Sequence, residues 1–167
     1  NINLDGTLCI VGDGPDLQTY KEKYSNNTSI KFLGWKKDKQ LEECYRSSDV
    51  FVFPSLTDTF GQVMVEAMAS GLPVAAFPVT GPIDVVKDGK TGSLKKNLHE
   101  ACQEALKTKN KEACINHAKT FSWDTMTNKF LKVQSDKKYI KCKHIHWNFT
   151  KEIFIFEICL ILLINLP

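Results

Sequence analysis

The run Val50-Phe-Val-Phe53 is apolar at every position, and this constrains the fold more than any other feature. A strand with one face in water alternates apolar and polar side chains. A strand that does not alternate is covered on both faces, as in a parallel sheet with helices on either side. Thr7-Leu-Cys-Ile-Val11 and residues 74–77 are runs of the same kind, and residues 30–33 form a further short one. Between them lie helical patterns over 16–24, 38–47 and 62–70, with Leu41, Cys44 and Tyr45 on one face of the second. Gly71 supplies a left-handed stop to the third, and Pro73 follows it. Strand and helix alternating with short connections predict an α/β fold, a parallel sheet flanked by helices. Ligands of such sheets sit outside the carboxyl ends of the strands, so the loops after the strands are where chemistry is expected.

Further along, Asp88-Gly89 and Thr91-Gly92 read as turns, and helices are expected over 97–107, 111–120 and 123–135. Ser122 is placed to cap the last, with Phe121 and Met126 at its staple positions. Residues 1–135 therefore read as one domain. From Asp136 the pattern gives way to the basic stretch Lys137-Lys-Tyr-Ile-Lys-Cys-Lys-His144 and an apolar end. Residues 153–164 are interrupted by Glu157 and fall short of the roughly 20 apolar residues a membrane helix needs. Two readings of 136–167 stay open: a helix lying on a membrane surface, which would give a peripheral membrane contact, and a non-native extension such as translation past a frameshift. Cys142-x-His144-x-His146 lacks a fourth partner and is a weak metal signal.

Composition narrows the function classes. The 167 residues are 43% apolar and 25% charged, ordinary for a globular domain. A net charge of +3 is too mild to point to nucleic acid. The six cysteines show no framework spacing and no CxxC, and most sit in apolar periodic stretches, which favours a reducing cytoplasm. Sequons at Asn26, Asn27 and Asn148 carry no weight in such a compartment. The chain opens at Asn1, without Met, a few residues before an interior-type strand, and reads as a fragment.

Chemistry concentrates after Phe53. A buried strand ends there, a polar loop follows, and a helix begins at about Gly61. The first amides of that helix, from Gly61 to Met64, lack carbonyl partners and carry partial positive charge, which suits a phosphate. Gly61 lets the phosphate approach the backbone. Glu66 is the sole charge between Val63 and Ala69, on a helix apolar almost all round. Such a carboxylate needs partners, and sugar or ribose hydroxyls would serve. Asp58 lies eight positions earlier, where a second set of hydroxyls could reach it. The plainer alternatives are that Glu66 pairs with a Lys and that Asp58 caps the helix.

The stretch Asp58-Thr-Phe60-Gly61, four residues, then Glu66-Ala-Met-Ala-Ser-Gly71-Leu-Pro-Val74 resembles the acid-x7-acid motif of the retaining glycosyltransferases of GT-B family 4. The resemblance extends from about Thr7 to Leu131 and takes in Val11-Gly-Asp-Gly-Pro15, Phe32-Leu-Gly34, Ser48-Asp-Val-Phe-Val-Phe-Pro-Ser55 and Gly81-Pro82. It implies the Rossmann-like C-terminal half of a GT-B fold and a nucleotide-diphosphate sugar of UDP or GDP type as donor. It also implies hexosyl transfer with retention to a lipid or glycan acceptor. Glu66 would bind the ribose hydroxyls, and Asp58, the catalytic candidate, would hold hydroxyls of the transferred sugar. The amides near Phe60, Gly61, Gln62 and Val63 would meet the sugar and diphosphate. Gly34 and Trp35 would lie near the base, and Gly81 near the phosphates. The family needs no metal, because protein groups stabilise the leaving diphosphate.

Two departures stand out. Asp58 replaces the commoner Glu and is one methylene shorter. The family's donor half also begins earlier, with a strand and loop bearing an Arg and a Lys, and its acceptor-binding N-terminal domain is not in this sequence. The chain is therefore expected to be inactive alone. The competing class is a non-catalytic nucleotide-binding module, prompted by Gly12-Asp-Gly14 after a strand. A full Gly-x-Gly-x-x-Gly would need glycine where Leu17 stands.

Overall fold

The computed structural model describes residues 6–108, 110–122, 124–125, 127–128 and 161–165. Strands and helices alternate as the sequence implies: β1 (Thr7–Val11), α1 (Leu17–Lys23), β2 (Ile30–Gly34), α2 (Asp38–Arg46), β3 (Val50–Phe53), α3 (Gln62–Ala69) and β4 (Val74–Ala76). There follow α4 (Pro82–Val85), β5 (Gly92–Leu94), α5 (Leu98–Thr108), α6 (Lys111–Ala118) with a 3-10 turn at Lys119–Phe121, and β6 (Ile161–Asn165). The sheet runs β2-β1-β6-β3-β4-β5. The pairs β1–β2, β3–β4 and β4–β5 are parallel, whereas β6 lies antiparallel between β1 and β3.

The apolar run of β3 has the cause its pattern implies. Phe51 and Phe53 belong to one buried cluster with Met64, Met68 and Cys114, from α3 and α6. Val50 and Val52 belong to another, with Ala101, Cys102 and Ala105 of α5. One strand thus feeds two cores, and none of its four side chains can be polar without facing one of them. Tyr45 and Phe51 meet in a T-shaped arrangement with ring centroids 6.0 Å apart, which pins α2 to the first cluster.

The end of α3 is fixed by backbone bonds. Gly71 N donates to Met68 O (2.9 Å) and Leu72 N to Ala67 O (3.0 Å), with Gly71 at φ +86°. This is a Schellman closure, and it buries Leu72 as the hydrophobic residue that accompanies such ends. Pro73 then turns the chain into β4, so the orientation of α3 against the sheet is set from its far end.

The structure differs from the sequence expectations in three places. Thr91 closes the turn expected at Thr91-Gly92, but Gly92 already opens the short strand β5, paired so closely with Val74 that a side chain on it would run into the Val74 backbone. Helix α4 was not expected, since four residues are too few for a periodic pattern. Residues 161–165, which had a surface-helix reading, form a strand inside the sheet. Ser122 Oγ does accept from Thr125 N (3.3 Å), as a cap should. Met126, Cys142, His144, His146 and most of the helix expected over 123–135 lie outside the described residues. No helix among the described residues is long and apolar enough to cross a membrane.

Candidate functional site

At the carboxyl end of β3 the loop 54–61 leads to Gly61, which caps α3 in the left-handed region at φ 66°, ψ 60°. A β-carbon there would collide with Met64 Cε, so the position excludes side chains on steric as well as conformational grounds. Met64 N donates to Gly61 O (2.9 Å) and begins the helix ladder. The amides of Gly61, Gln62 and Val63 have no acceptor among the described residues. They make an electropositive helix head that no side chain caps.

Asp58 serves the loop rather than the helix. Its Oδ1 accepts from Phe60 N (2.9 Å), an Asx-type turn that holds the carboxylate against its own backbone. The Phe60 amide is thereby engaged, and the ring stands 40% exposed.

Glu66 lies on α3 one turn beyond Gln62 and is half-buried. Its carboxylate makes no ion pair with a lysine among the described residues. Its one partner among the described residues is the Tyr45 hydroxyl, which donates to Oε2 at 3.3 Å. Burial pushes the Glu66 carboxyl above the usual carboxylate range, and the Tyr45 hydrogen bond partly offsets this. The result is a half-buried carboxylate held by one long hydrogen bond, with acceptor capacity left for other hydroxyls. Tyr45 was read from the sequence only as part of an apolar face. The signal that could have found it is the single hydroxyl on that face, because a Tyr buried to 2% exposure needs a partner for its oxygen.

Gly81 is brought against the same loop. It sits at φ 94°, ψ −77° ahead of α4, and a β-carbon on it would lie 2.7 Å from Asp58 O. The turn after β4 and the acidic loop after β3 therefore touch backbone to backbone. Gly34 and Trp35 end β2 on the same edge of the sheet, three strand positions from β3 and so about 14 Å away. Trp35 is 52% exposed, with Lys37 Nζ 5.9 Å from its ring centroid. Asp58, Phe60, Gly61, Gln62, Val63, Glu66 and Gly81 thus form one neighbourhood, and Gly34 with Trp35 forms a second along the same edge. An open depression on α2, lined by Lys39, Glu42, Glu43, Arg46 and Ser47, contains none of them.

Residues 2–121 match the family described as glycosyl transferases, group 1. The D-inositol 3-phosphate glycosyltransferase of Corynebacterium glutamicum is 34% identical over 136 residues, which is 72% of this chain and 32% of that protein. A GDP-mannose-dependent alpha-mannosyltransferase of Mycobacterium tuberculosis is 44% identical over 87 residues, covering 52% of this chain and 22% of the relative. The crystal structure of Anabaena Alr3699/HepE in complex with UDP and glucose has the same fold, with a TM-score of 0.58 and 21% identity. That match covers 77% of this chain and 40% of the other. The chain spans 18% to 37% of the length of the curated relatives it matches.

Proposed function

Because the chain belongs to the group 1 glycosyl transferases, we propose that its sheet edge holds a nucleotide-diphosphate sugar whose sugar is passed, with retention, to a lipid or glycan acceptor. The observation that carries this is the helix head with three open amides, followed one turn later by the half-buried carboxylate of Glu66. The diphosphate sits at the amides of Gly61, Gln62 and Val63, where fixed dipoles offset its charge. When the bond from anomeric carbon to phosphate breaks, the added negative charge on the departing diphosphate meets donors already in place, so no metal is required. Glu66 takes the ribose hydroxyls. Asp58, anchored by its turn, offers Oδ2 to the hydroxyls of the sugar, and Gly81 closes the phosphates from the other side. Trp35 and Gly34 lie toward the base.

The names of the relatives support a nucleotide sugar as ligand: one is GDP-mannose-dependent, and one structure was solved with UDP and glucose. The reading gives this chain the donor half of the reaction and leaves the acceptor to residues outside it, so the 167 residues alone bind without turnover. It places the protein in the cytoplasm, where nucleotide sugars and free thiols are both at home.

The test is calorimetric titration with UDP, GDP, UDP-glucose and GDP-mannose in the absence of metal. Binding by the wild type should weaken by more than about 1 kcal/mol in Glu66→Ala, since hydrogen bonds to a charged group contribute about 1.5–3 kcal/mol. A folded Glu66→Ala protein with unchanged affinity removes Glu66 from the site. A folded wild type that binds none of the four ligands removes the donor reading.

A further inference from the structure

The acidic loop is buttressed from a part of the chain that none of the site motifs includes. His117, near the end of α6, directs Nε2 at Val85 O, 2.8 Å away. A carbonyl only accepts, so Nε2 carries the proton and the neutral ring has a bare Nδ1, which is buried without a partner among the described residues. The imidazole meets Phe121 edge-on with centroids 5.1 Å apart, and Phe121 meets Phe60 edge-on at 5.9 Å. Phe60 N is bonded to Asp58 Oδ1, and Asp58 O faces Gly81, the residue that starts α4. Helix α4 ends at Val85, whose carbonyl His117 holds. The contacts close on themselves: Asp58, Phe60, Phe121, His117, Val85, and back through α4 and Gly81 to Asp58.

We propose that His117 and Phe121 are positioning residues that fix the acidic loop and the Gly81 turn relative to each other, and so set how well the sugar end of the donor is held. The geometry favours this over simple packing for two reasons. Phe60 is the most exposed member of the ring, and its one aromatic partner among the described residues is Phe121. His117 also spends its sole donor on a helix end that has no other link to α6 in the ring, while leaving Nδ1 orphaned. An orphaned buried nitrogen costs stability that an apolar residue would not lose. The proposal rests on the donor-site reading above. It divides the site: Glu66, fixed by α3 and Tyr45, lies outside the ring and should hold a bare nucleotide regardless of it.

The experiment compares wild type, Phe121→Ala, Phe121→Leu, Phe121→Tyr and His117→Ala in the full chain, with two measurements. In calorimetry, Phe121→Ala and His117→Ala are expected to weaken UDP-glucose or GDP-mannose by about three- to tenfold, the worth of an aromatic pair, while UDP or GDP alone stays within about twofold. Phe121→Tyr should restore the preference for the sugar conjugate. In amide exchange, 56–61 and 81–85 should open faster in both alanine variants with β3 and β4 unchanged; should Phe121→Ala not fold, Phe121→Leu keeps the volume without the ring. Equal weakening of nucleotide and conjugate, or wild-type exchange at both loops in a folded variant, overturns the proposal. A wild type that binds no nucleotide sugar refutes the donor reading instead, and the exchange measurement then decides the positioning role by itself.

Discussion

Replacing Gly81 with alanine should injure the fold and the site together, and the two costs can be separated. The first cost is conformational: at φ 94°, ψ −77° an L-residue is held in a sparsely populated region, at about 1–3 kcal/mol. The second is steric. The new β-carbon would lie 2.7 Å from Asp58 O and 3.3 Å from Asp58 C, so the acidic loop must retreat by a few tenths of an ångström or more. Overpacking of this kind costs about 1–3 kcal/mol. Gly89 is the natural control, because its φ is +72° but a β-carbon on it would meet nothing within 4 Å. Gly89→Ala should then cost only the left-handed penalty of about 1–2 kcal/mol, and Gly81→Ala about 2–6 kcal/mol. Urea unfolding of the two variants measures the difference. Titration with a nucleotide sugar should show weaker binding for Gly81→Ala and unchanged binding for Gly89→Ala. Equal destabilisation of the two variants with equal, wild-type binding would mean that Gly81 does not brace Asp58 and that the loop yields freely.

Other outcomes follow from the same geometry. Burial pushes the thiols of Cys102 and Cys114 up to about 12 and about 11, so neither should react with iodoacetamide at pH 8 until the protein is unfolded; mass mapping of native labelling checks this. Burial lowers the pKa of His117, helped by the charge of Lys87, against the bond to Val85 that raises it. Its folded pKa thus lies below the unfolded one, so stability is full above the ordinary His value of about 6.5 and declines as pH falls below it. Urea midpoints of wild type should fall from pH 7 to 5 more than those of His117→Gln. Removing the Tyr45 hydroxyl with Tyr45→Phe should raise the Glu66 pKa further, since that bond is what lowers it. Nucleotide affinity should then fall at a higher pH on acidification than in wild type, as a pH series of titrations would show.

Much of this was legible from pattern alone, and the reasons are local. Val50-Phe-Val-Phe53 announces a doubly covered strand because each residue meets a packed cluster. The bounds of α3 were readable because Gly61 and Gly71 both sit at positive φ, where glycine is the natural choice. What was not legible depends on partners distant in sequence. Tyr45 and Glu66 are 21 positions apart, and His117 and Val85 are 32. The strand β6 joins a sheet whose other members precede it by dozens of residues, with Thr7 opposite Asn165. No window of sequence shows such a pairing. That Asp58 closes a turn on Phe60 N and does not cap α3 emerges only from geometry, since either task suits the same residue type.

The three amides at the start of α3, unpartnered among the described residues, have a consequence for genetics. They are peptide groups, so the encoded side chain does not supply them, and almost any substitution at Gln62 or Val63 leaves them in place. An alanine scan across this loop would therefore report the acids and Gly61, where a β-carbon meets Met64, and pass over Gln62 and Val63, whose amides the donor reading sets against the anion. Nor can a change of pH discharge them, unlike an arginine's or lysine's competitor, the histidine. The one coded residue that deletes such a donor is proline, which the first helical position tolerates. Gln62→Pro is accordingly the variant in which, on the donor reading, that hidden dependence becomes visible: the acids intact, with one donor fewer for the proposed phosphate.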